Sequence, residues 1–427
     1  MSIDGATTRA ATAAGTGNGQ AENLRQATEF LSALFGPRDY CLFRPIETWA
    51  ENDQKKSRVD YKGIQYVPGV LAAIVERQAE RAKATRCNLF FGVCPRFGAK
   101  QYDLAWQIRV VRVLWSDVDD CRPDEAIERC KAAGLPAPSI VVSSGNGAHL
   151  YWLLAEPYLV DDVGDPLPVK TEWIGQGEGK KKKPHRYLID LATKEKLSLD
   201  AKQNVPDLSP KAQHVQDIIA GIASKIGGDH THDLARILRI PGTLNRKDER
   251  NGREPVPCTL LECDPARRYP IEEFERFVDA SPAKAKREQL ATVKLPTAKK
   301  LSPGRRDKFN ELVTACAVAE VGQRSEADFA LCCYAIEHGQ AREEVWGQVQ
   351  GVGKFAEAEE RYFSTTWEKA EKHTRAAIFD RVWKKAEASA ARKGKGGDDE
   401  QVEITVDLLA DDITGRNHFV QDAGGKL

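Results

Sequence analysis

Two carboxylates one residue apart, Asp117 and Asp119, end the apolar run Val113-Leu-Trp-Ser-Asp-Val-Asp-Asp120. In an extended strand residues i and i+2 project from the same face, so both side chains address one site. Like charges held this close repel unless a cation lies between them, and hard divalent ions take oxygen ligands. The pair therefore points to Mg²⁺ or Mn²⁺. Alone, an Asp-x-Asp after an apolar run is a weak motif, because Asp is common at strand ends and Asp120 follows.

Two further segments supply what phosphoryl chemistry needs beside such a metal. In Ser143-Ser-Gly-Asn-Gly-Ala-His149 the backbone N–H groups around Ser143, Ser144, Gly145 and Gly147 suit close approach to phosphate oxygens. His149 then heads a strand, with Tyr151 and Leu153 on its face; a lone strand histidine is more often structural than a ligand. The third segment runs from Gly227 to Lys247. Gly227-Gly228-Asp229 ends a helix and exposes a carboxylate in a turn. Thr231 is placed to cap a short helix with Arg236 and Arg239 on its polar side and Leu234, Ile237 and Leu238 on its buried side. Pro241-Gly242 stops that helix. Arg236, Arg239, Asn245, Arg246 and Lys247 are phosphate-binding types packed beside an exposed acid, which favours anion binding over an ordinary solvated face. Asp233 rivals Asp229 as a third acid but reads as a dipole-favoured residue of the helix's first turn. His230 and His232 read as helix-start residues.

Around these segments the pattern is of alternating strands and helices. Strands are expected over Asn88–Arg96, Arg109–Val118, Ser139–Val142 and His149–Leu154, and helices over Pro123–Gly134 and Ser209–Ile226. Residues 1–25, rich in Ala, Gly, Thr and Ser, are expected to be disordered. The catalytic region would be 26–280, interrupted by a polar inserted hairpin at about 156–210 that contains Lys180, Lys181, Lys182 and Lys183. That lysine run is either a solvated turn or a grip on a nucleic-acid backbone. Residues 281–304 read as a linker and 305–380 as an all-helical unit. Ser325-Glu-Ala-Asp328 looks like its capping box, Phe329, Cys332, Cys333 and Ile336 one apolar face, and Trp346, Phe355, Tyr362, Phe363 and Trp367 its bulky core. A charged linker and tail fill 381–427.

At 427 residues, 41% hydrophobic and 30% charged, the chain has ample material for two or three ordered domains. Its 63 basic and 63 acidic residues cancel, so nucleic-acid binding must come from local patches. None of the ten cysteines forms a CxxC, which argues against a zinc ribbon and suits buried thiols of a reducing cytosol. No basic-then-apolar leader and no membrane-length apolar stretch is visible. The expectation is a cytoplasmic protein without a membrane partner.

In this order, the segments resemble the archaeo-eukaryotic primase superfamily, nearest the primase-polymerase domains of plasmids, phages and integrated elements. That family's pattern is an apolar strand with DxD or DxE, a small-residue turn leading to His, then a later single acid. Here these match Asp117/Asp119, Ser143–His149 and Asp229. Gly228-Asp229 and Arg239-Ile-Pro-Gly-Thr-Leu-Asn-Arg-Lys247 are similar to the plasmid RepB-type branch, and Phe91-Gly-Val-Cys-Pro-Arg96 to the strand before the first motif. The insert at 156–210 departs from the family by widening the gap before the third motif. Arg324–Leu331 and Tyr362–Ala370 resemble the primase C-terminal domain. Asn417–Leu427 resembles the opening of a helicase-associated domain, yet the chain has no GxxxxGK[ST] phosphate loop.

The resemblance implies an α/β (α+β) catalytic domain with a mixed sheet followed by a small all-α domain, and a DNA-dependent primase-polymerase acting by two-metal nucleotidyl transfer. It implies two Mg²⁺ or Mn²⁺ ions on Asp117, Asp119 and Asp229. A nucleoside triphosphate would sit on His149, Ser143, Ser144, Gly145, Gly147, Arg236, Arg239 and Lys247. Single-stranded DNA would be contacted by Arg96, Asn245 and Lys180–Lys183, with a separate hexameric helicase as a further partner. The alternatives are a non-catalytic DNA-binding replication-initiation module on the same fold and a metal-dependent nuclease.

Overall fold

The computed structural model describes residues 16–393, apart from 53, 100–101, 176–181, 192, 202–203, 230, 294, 297–300 and 321–322. The chain divides into two compact units. One comprises the residues up to Leu167 with Asp207–Lys284, the other Pro168–Pro206 with the residues from Ala285 onward. The class is mixed α/β with largely antiparallel sheets and a helical C-terminal region. Among the described residues no helix is long and apolar enough to cross a membrane.

The first unit holds two sheets. In one, β11 (Ile237–Arg239), β4 (Asn88–Gly92), β1 (Tyr40–Glu51) and β2 (Gln54–Val59) lie side by side, and β3 (Gln65–Pro68) also pairs with β1, every pairing antiparallel. The second follows the order β12 (Thr243–Asn245), β13 (Val256–Cys263), β6 (Ile140–Ser143), β7 (Gly147–Leu159), β14 (Arg268–Tyr269). There β5 (Val110–Asp119) pairs antiparallel with β7, and β14 runs parallel to it. Both faces of β7 are covered from Gly147 to Leu154, so Trp115, Tyr151 and Trp152 are fully buried rather than half-exposed as a surface strand would leave them.

Helices α1 (Thr16–Leu34), α2 (Ala72–Ala84), α3 (Pro123–Ala132) and α4 (Pro210–Ile226) complete this unit. Helix α1 begins at Thr16, inside the stretch expected to be disordered, and beyond residue 25 Ala27, Phe30, Leu31 and Leu34 bury one of its faces in the core. Ser209 caps α4 by accepting from Ala212 N at 3.2 Å, Pro210 opens it and Gly227 closes it in the left-handed region at φ 70°. Gly221 lets α4 pack tightly: a Cβ there would fall 1.7 Å from the Phe277 carbonyl oxygen.

Between Thr231 and Arg239 the expected short helix is absent. Asp233 turns the chain, its carboxylate accepting from Ala235 N at 3.0 Å and its carbonyl from Arg236 N at 2.9 Å. Ile237–Arg239 then pairs with Gly92–Phe90 of β4. The helical spacing of Leu234, Ile237 and Leu238 lost to an open sheet edge, which satisfies the backbone of so short a segment better than one isolated helical turn.

The second unit contains the inserted segment as a three-stranded antiparallel sheet, β10 (Lys196–Ser198), β9 (Lys183–Ile189), β8 (Lys170–Ile174). The Ala- and Lys-rich stretch read as a linker is helical over α5 (Pro282–Thr292). Then come α6 (Pro303–Val318), α7 (Arg324–Glu337), α8 (Arg342–Val349) and α9 (Gly353–Lys393), the last interrupted at Glu359 by φ 57°. Phe355, Phe363, Trp367, Leu331, Cys332 and Ile336 form the core of these helices. Ser325 does not cap α7 as expected. Its hydroxyl instead meets Lys354 Nζ at 3.1 Å, a fully buried ammonium that also pairs with Asp190 at 3.2 Å and Glu195 at 3.4 Å. All ten cysteines are free thiols, eight of them buried.

Candidate active site

The β5–β7 register sets the site's geometry. Asp117 lies opposite His149 and Asp119 opposite Gly147, on strands whose cores are buried. Gly147 is required there, since a Cβ would fall 2.3 Å from the Val118 carbonyl oxygen. The third acid arrives from the end of α4. Gly227 reverses the chain, and Gly228 passes so close to β5 that a Cβ would meet Ser116 Oγ at 2.4 Å. Asp229 N then donates to the Asp117 carbonyl at 2.7 Å. The buried Trp115 indole holds the far side of the turn, donating to Thr231 O at 2.8 Å, while Thr231 N donates to Asp229 O at 2.7 Å.

The result is a cluster in which ligand atoms of Asp117, Asp119 and Asp229 all lie within 4.8 Å of one another, and which can hold a metal ion. Asp233 is not part of it, being paired with Arg236 at 3.1 Å. Asp117 is half-buried, Asp119 and Asp229 exposed. Burial, then the neighbouring charge of Asp119, pushes the Asp117 carboxyl up to about 6, against the pull of Arg239, Arg236 and Lys55. Its Oδ1 is buried without a hydrogen bond among the described residues. His149 Nε2 lies 3.5 Å from it. His149 itself is buried, which with the nearby Arg239 cation lowers its pKa to about 3 and keeps the imidazole neutral at physiological pH. Its Nδ1 faces the Tyr151 hydroxyl at 3.4 Å.

Arg239 reaches the site from β11 rather than from a helix face. Its guanidinium lies over the Phe90 ring at 5.4 Å, and its Nε donates to Asn88 Oδ1 at 3.2 Å. Asn88, fully buried, also accepts from Arg246 N at 2.8 Å and donates to Ile46 O at 3.3 Å and Thr48 Oγ1 at 3.2 Å. One amide thus joins β1, β4, β11 and the loop after β12. A single asparagine within an apolar strand carries no motif, so it escaped the sequence reading.

The loop from Ser143 to Gly147 is a tight turn closed by Ser144 N to Gly147 O at 2.9 Å, with Gly145 at φ 93°. Ser144 Oγ is buried without a hydrogen bond among the described residues. Asn245 serves this turn from inside, donating to Ser144 O at 3.0 Å and accepting from Lys247 N at 3.1 Å. Arg96 is likewise internal, bonded to Cys94 O and Ala235 O at 2.9 Å each. Neither Asn245 nor Arg96 presents its side chain to solvent. Lys182 and Lys183 belong to the other unit, and Lys180 and Lys181 lie outside the described residues.

No family model and no curated protein matches the chain. Among solved structures it is similar to the primase-polymerase AEP domain of cyanophage S-2L, with 16% identity, TM-score 0.36, and coverage of 60% of this chain and 97% of that one. It is also similar to primase RepB′, with 14% identity, TM-score 0.32, and coverage of 84% and 99% respectively.

Proposed function

We propose that the chain is a nucleotidyltransferase: a DNA-dependent primase-polymerase of the archaeo-eukaryotic primase superfamily, of the kind carried by plasmids and phages, that builds primers on single-stranded DNA. The reading rests above all on the convergence of Asp117, Asp119 and Asp229 within 4.8 Å of one another. Their all-oxygen donor set suits Mg²⁺ or Mn²⁺, and the unbonded Oδ1 of Asp117 is an atom a cation satisfies. These three acids would hold two such ions, which when bound lower the pKa of a 3′-hydroxyl and offset the charge on the phosphoryl oxygens.

The chain's own groups bind and orient the triphosphate. Arg239, its Nε fixed by Asn88, offers its remaining N–H groups as a fork to phosphate oxygens. His149 stays neutral, with Nδ1 against the Tyr151 hydroxyl and Nε2 facing Asp117, so it orients rather than adds charge. Ser144, the backbone of Ser143–Gly147, Arg236 and Lys247 supply further contacts. The ten free thiols suit a cytoplasmic setting. Residues from 394 lie outside the described structure, and the reading includes no helicase partner.

Purified protein incubated with single-stranded DNA, Mn²⁺ and labelled nucleotides, with and without a primer, tests the reading. De novo products that disappear in Asp119→Ala are expected. Synthesis only from a primer would make the protein a polymerase. DNA binding without synthesis would replace the reading with an initiation module, and DNA degradation with a nuclease.

A further inference from the structure

The end of the β1–β2 hairpin and the loop after β12 are built into one surface. Asp248, at φ 63°, folds the loop back: its N–H donates to Thr48 O at 3.1 Å and its carboxylate accepts from Ala50 N at 2.6 Å. Asn251 Nδ2 donates to Ala50 O at 2.7 Å, and the Arg250 guanidinium lies over the Trp49 ring at 4.5 Å. On the facing strand Lys56 is registered opposite Trp49 and Lys55 opposite Ala50.

The charge on this surface is uneven. Arg58 is paired with Glu47 at 2.9 Å and Arg246 with Glu249 at 2.8 Å. Lys55, Lys56, Lys247, Arg250 and Arg253 have no ion pair among the described residues, and the Asp248 carboxylate is engaged by backbone. A run of cations is usually a solvated face whose charges find acids nearby. Here five lack an acidic partner among the described residues, Lys56 and Arg250 flank the half-buried Trp49, and the loop that carries Lys247, Arg250 and Arg253 is clamped in place by three hydrogen bonds. The surface also adjoins the site, since Asn88 links the Arg246 backbone to Arg239. A chain with no net charge gains attraction for a polyanion only through such a local concentration.

We propose that this hairpin–loop surface, carried by Lys55, Lys56, Arg250 and Arg253, binds the phosphodiester backbone of the single-stranded DNA that feeds the acidic cluster. The inference rests on the function proposed above and names the surface that holds its template. Trp49 under Arg250 adds a stacking element that tolerates any base.

Anisotropy of a fluorescein-labelled oligothymidylate, titrated with the full chain over a range of NaCl concentrations without metal or nucleotide, tests it. Each phosphate neutralised on a single strand contributes about 0.7 to the slope of log K against log salt. Lys55→Ala/Lys56→Ala and Arg250→Ala/Arg253→Ala should therefore each flatten the slope by about 1.4 and weaken binding at low salt. Lys55→Arg/Lys56→Arg should restore both, and Lys131→Ala, on α3 and paired with Glu128, should change neither. Unchanged slope and affinity in both double variants would overturn the assignment. If those variants bind normally while wild type still incorporates nucleotide, the surface is wrong and the function stands. If they lose binding while wild type incorporates nothing, the surface stands and the function is wrong.

Discussion

Replacing Asp117 by Asn should stabilise the metal-free protein while abolishing its chemistry. In the folded chain this carboxyl is half-buried beside Asp119, has an unbonded oxygen, and titrates at about 6 instead of 3.8. Two pKa units correspond to about 3 kcal/mol of differential stability. Because the folded pKa lies above the unfolded one, this group's contribution is fully favourable below pH 3.8 and is lost as pH rises through about 6. At pH 8 in EDTA the Asn variant, which never ionises, should therefore unfold several degrees above wild type, with about 3 kcal/mol as the upper limit. Near pH 4 the two should unfold together. Mn²⁺ at about a hundred times its dissociation constant should raise wild type by about 2.7 kcal/mol and the variant by much less. Scanning calorimetry with EDTA or Mn²⁺ at both pH values reads all of this. A variant no more stable than wild type at pH 8 in EDTA, or equal stabilisation of both by Mn²⁺, would refute the idea that repulsion among these acids is relieved by a cation.

Three other perturbations draw on the same geometry. Asn88→Ala removes the acceptor that fixes Arg239 Nε and leaves Arg246 N without its bond, so steady-state incorporation should show the KM for nucleotide rising about tenfold, more than kcat falls, with a stability loss of about 2 kcal/mol. Gly228→Ala should displace Asp229 from β5 and cost about 2 kcal/mol in urea unfolding, whereas adding Ser116→Ala should recover part of both Mn²⁺ affinity and stability by removing the clashing oxygen. Lys354→Met should leave Asp190 and Glu195 facing a buried apolar group and destabilise the helical unit by about 3 kcal/mol, measured as faster limited proteolysis between α6 and α9.

Much of the site was legible in spacing. Two carboxylates at i and i+2 on an apolar strand must share a face, a small-residue turn must precede a strand histidine, and paired glycines after an amphipathic helix must expose the next side chain. The face shared by Asp117 and Asp119 and the exposure of Asp229 are local consequences of backbone geometry, whereas that His149 and Asp229 join them was implied only by the family resemblance. The structure sets His149 opposite Asp117 and Asp229 beside the other two acids. Other features depended on partners distant in the chain. Arg236 and Arg239 had a helical spacing, but the edge of β4 captured Ile237–Arg239 as a strand because interstrand hydrogen bonds outweigh propensity in so short a segment. Arg96 and Asn245 look the same in sequence whether they face solvent or support a turn; only the packing around them turned both inward. Asn88 and Lys354 could not be singled out, since a buried polar group gains its role from partners that the chain brings together only on folding. Local dihedral preference and side-chain periodicity are written in neighbouring residues, whereas the choice of edge, the burial of a charge and the meeting of three acids are settled by long-range contacts.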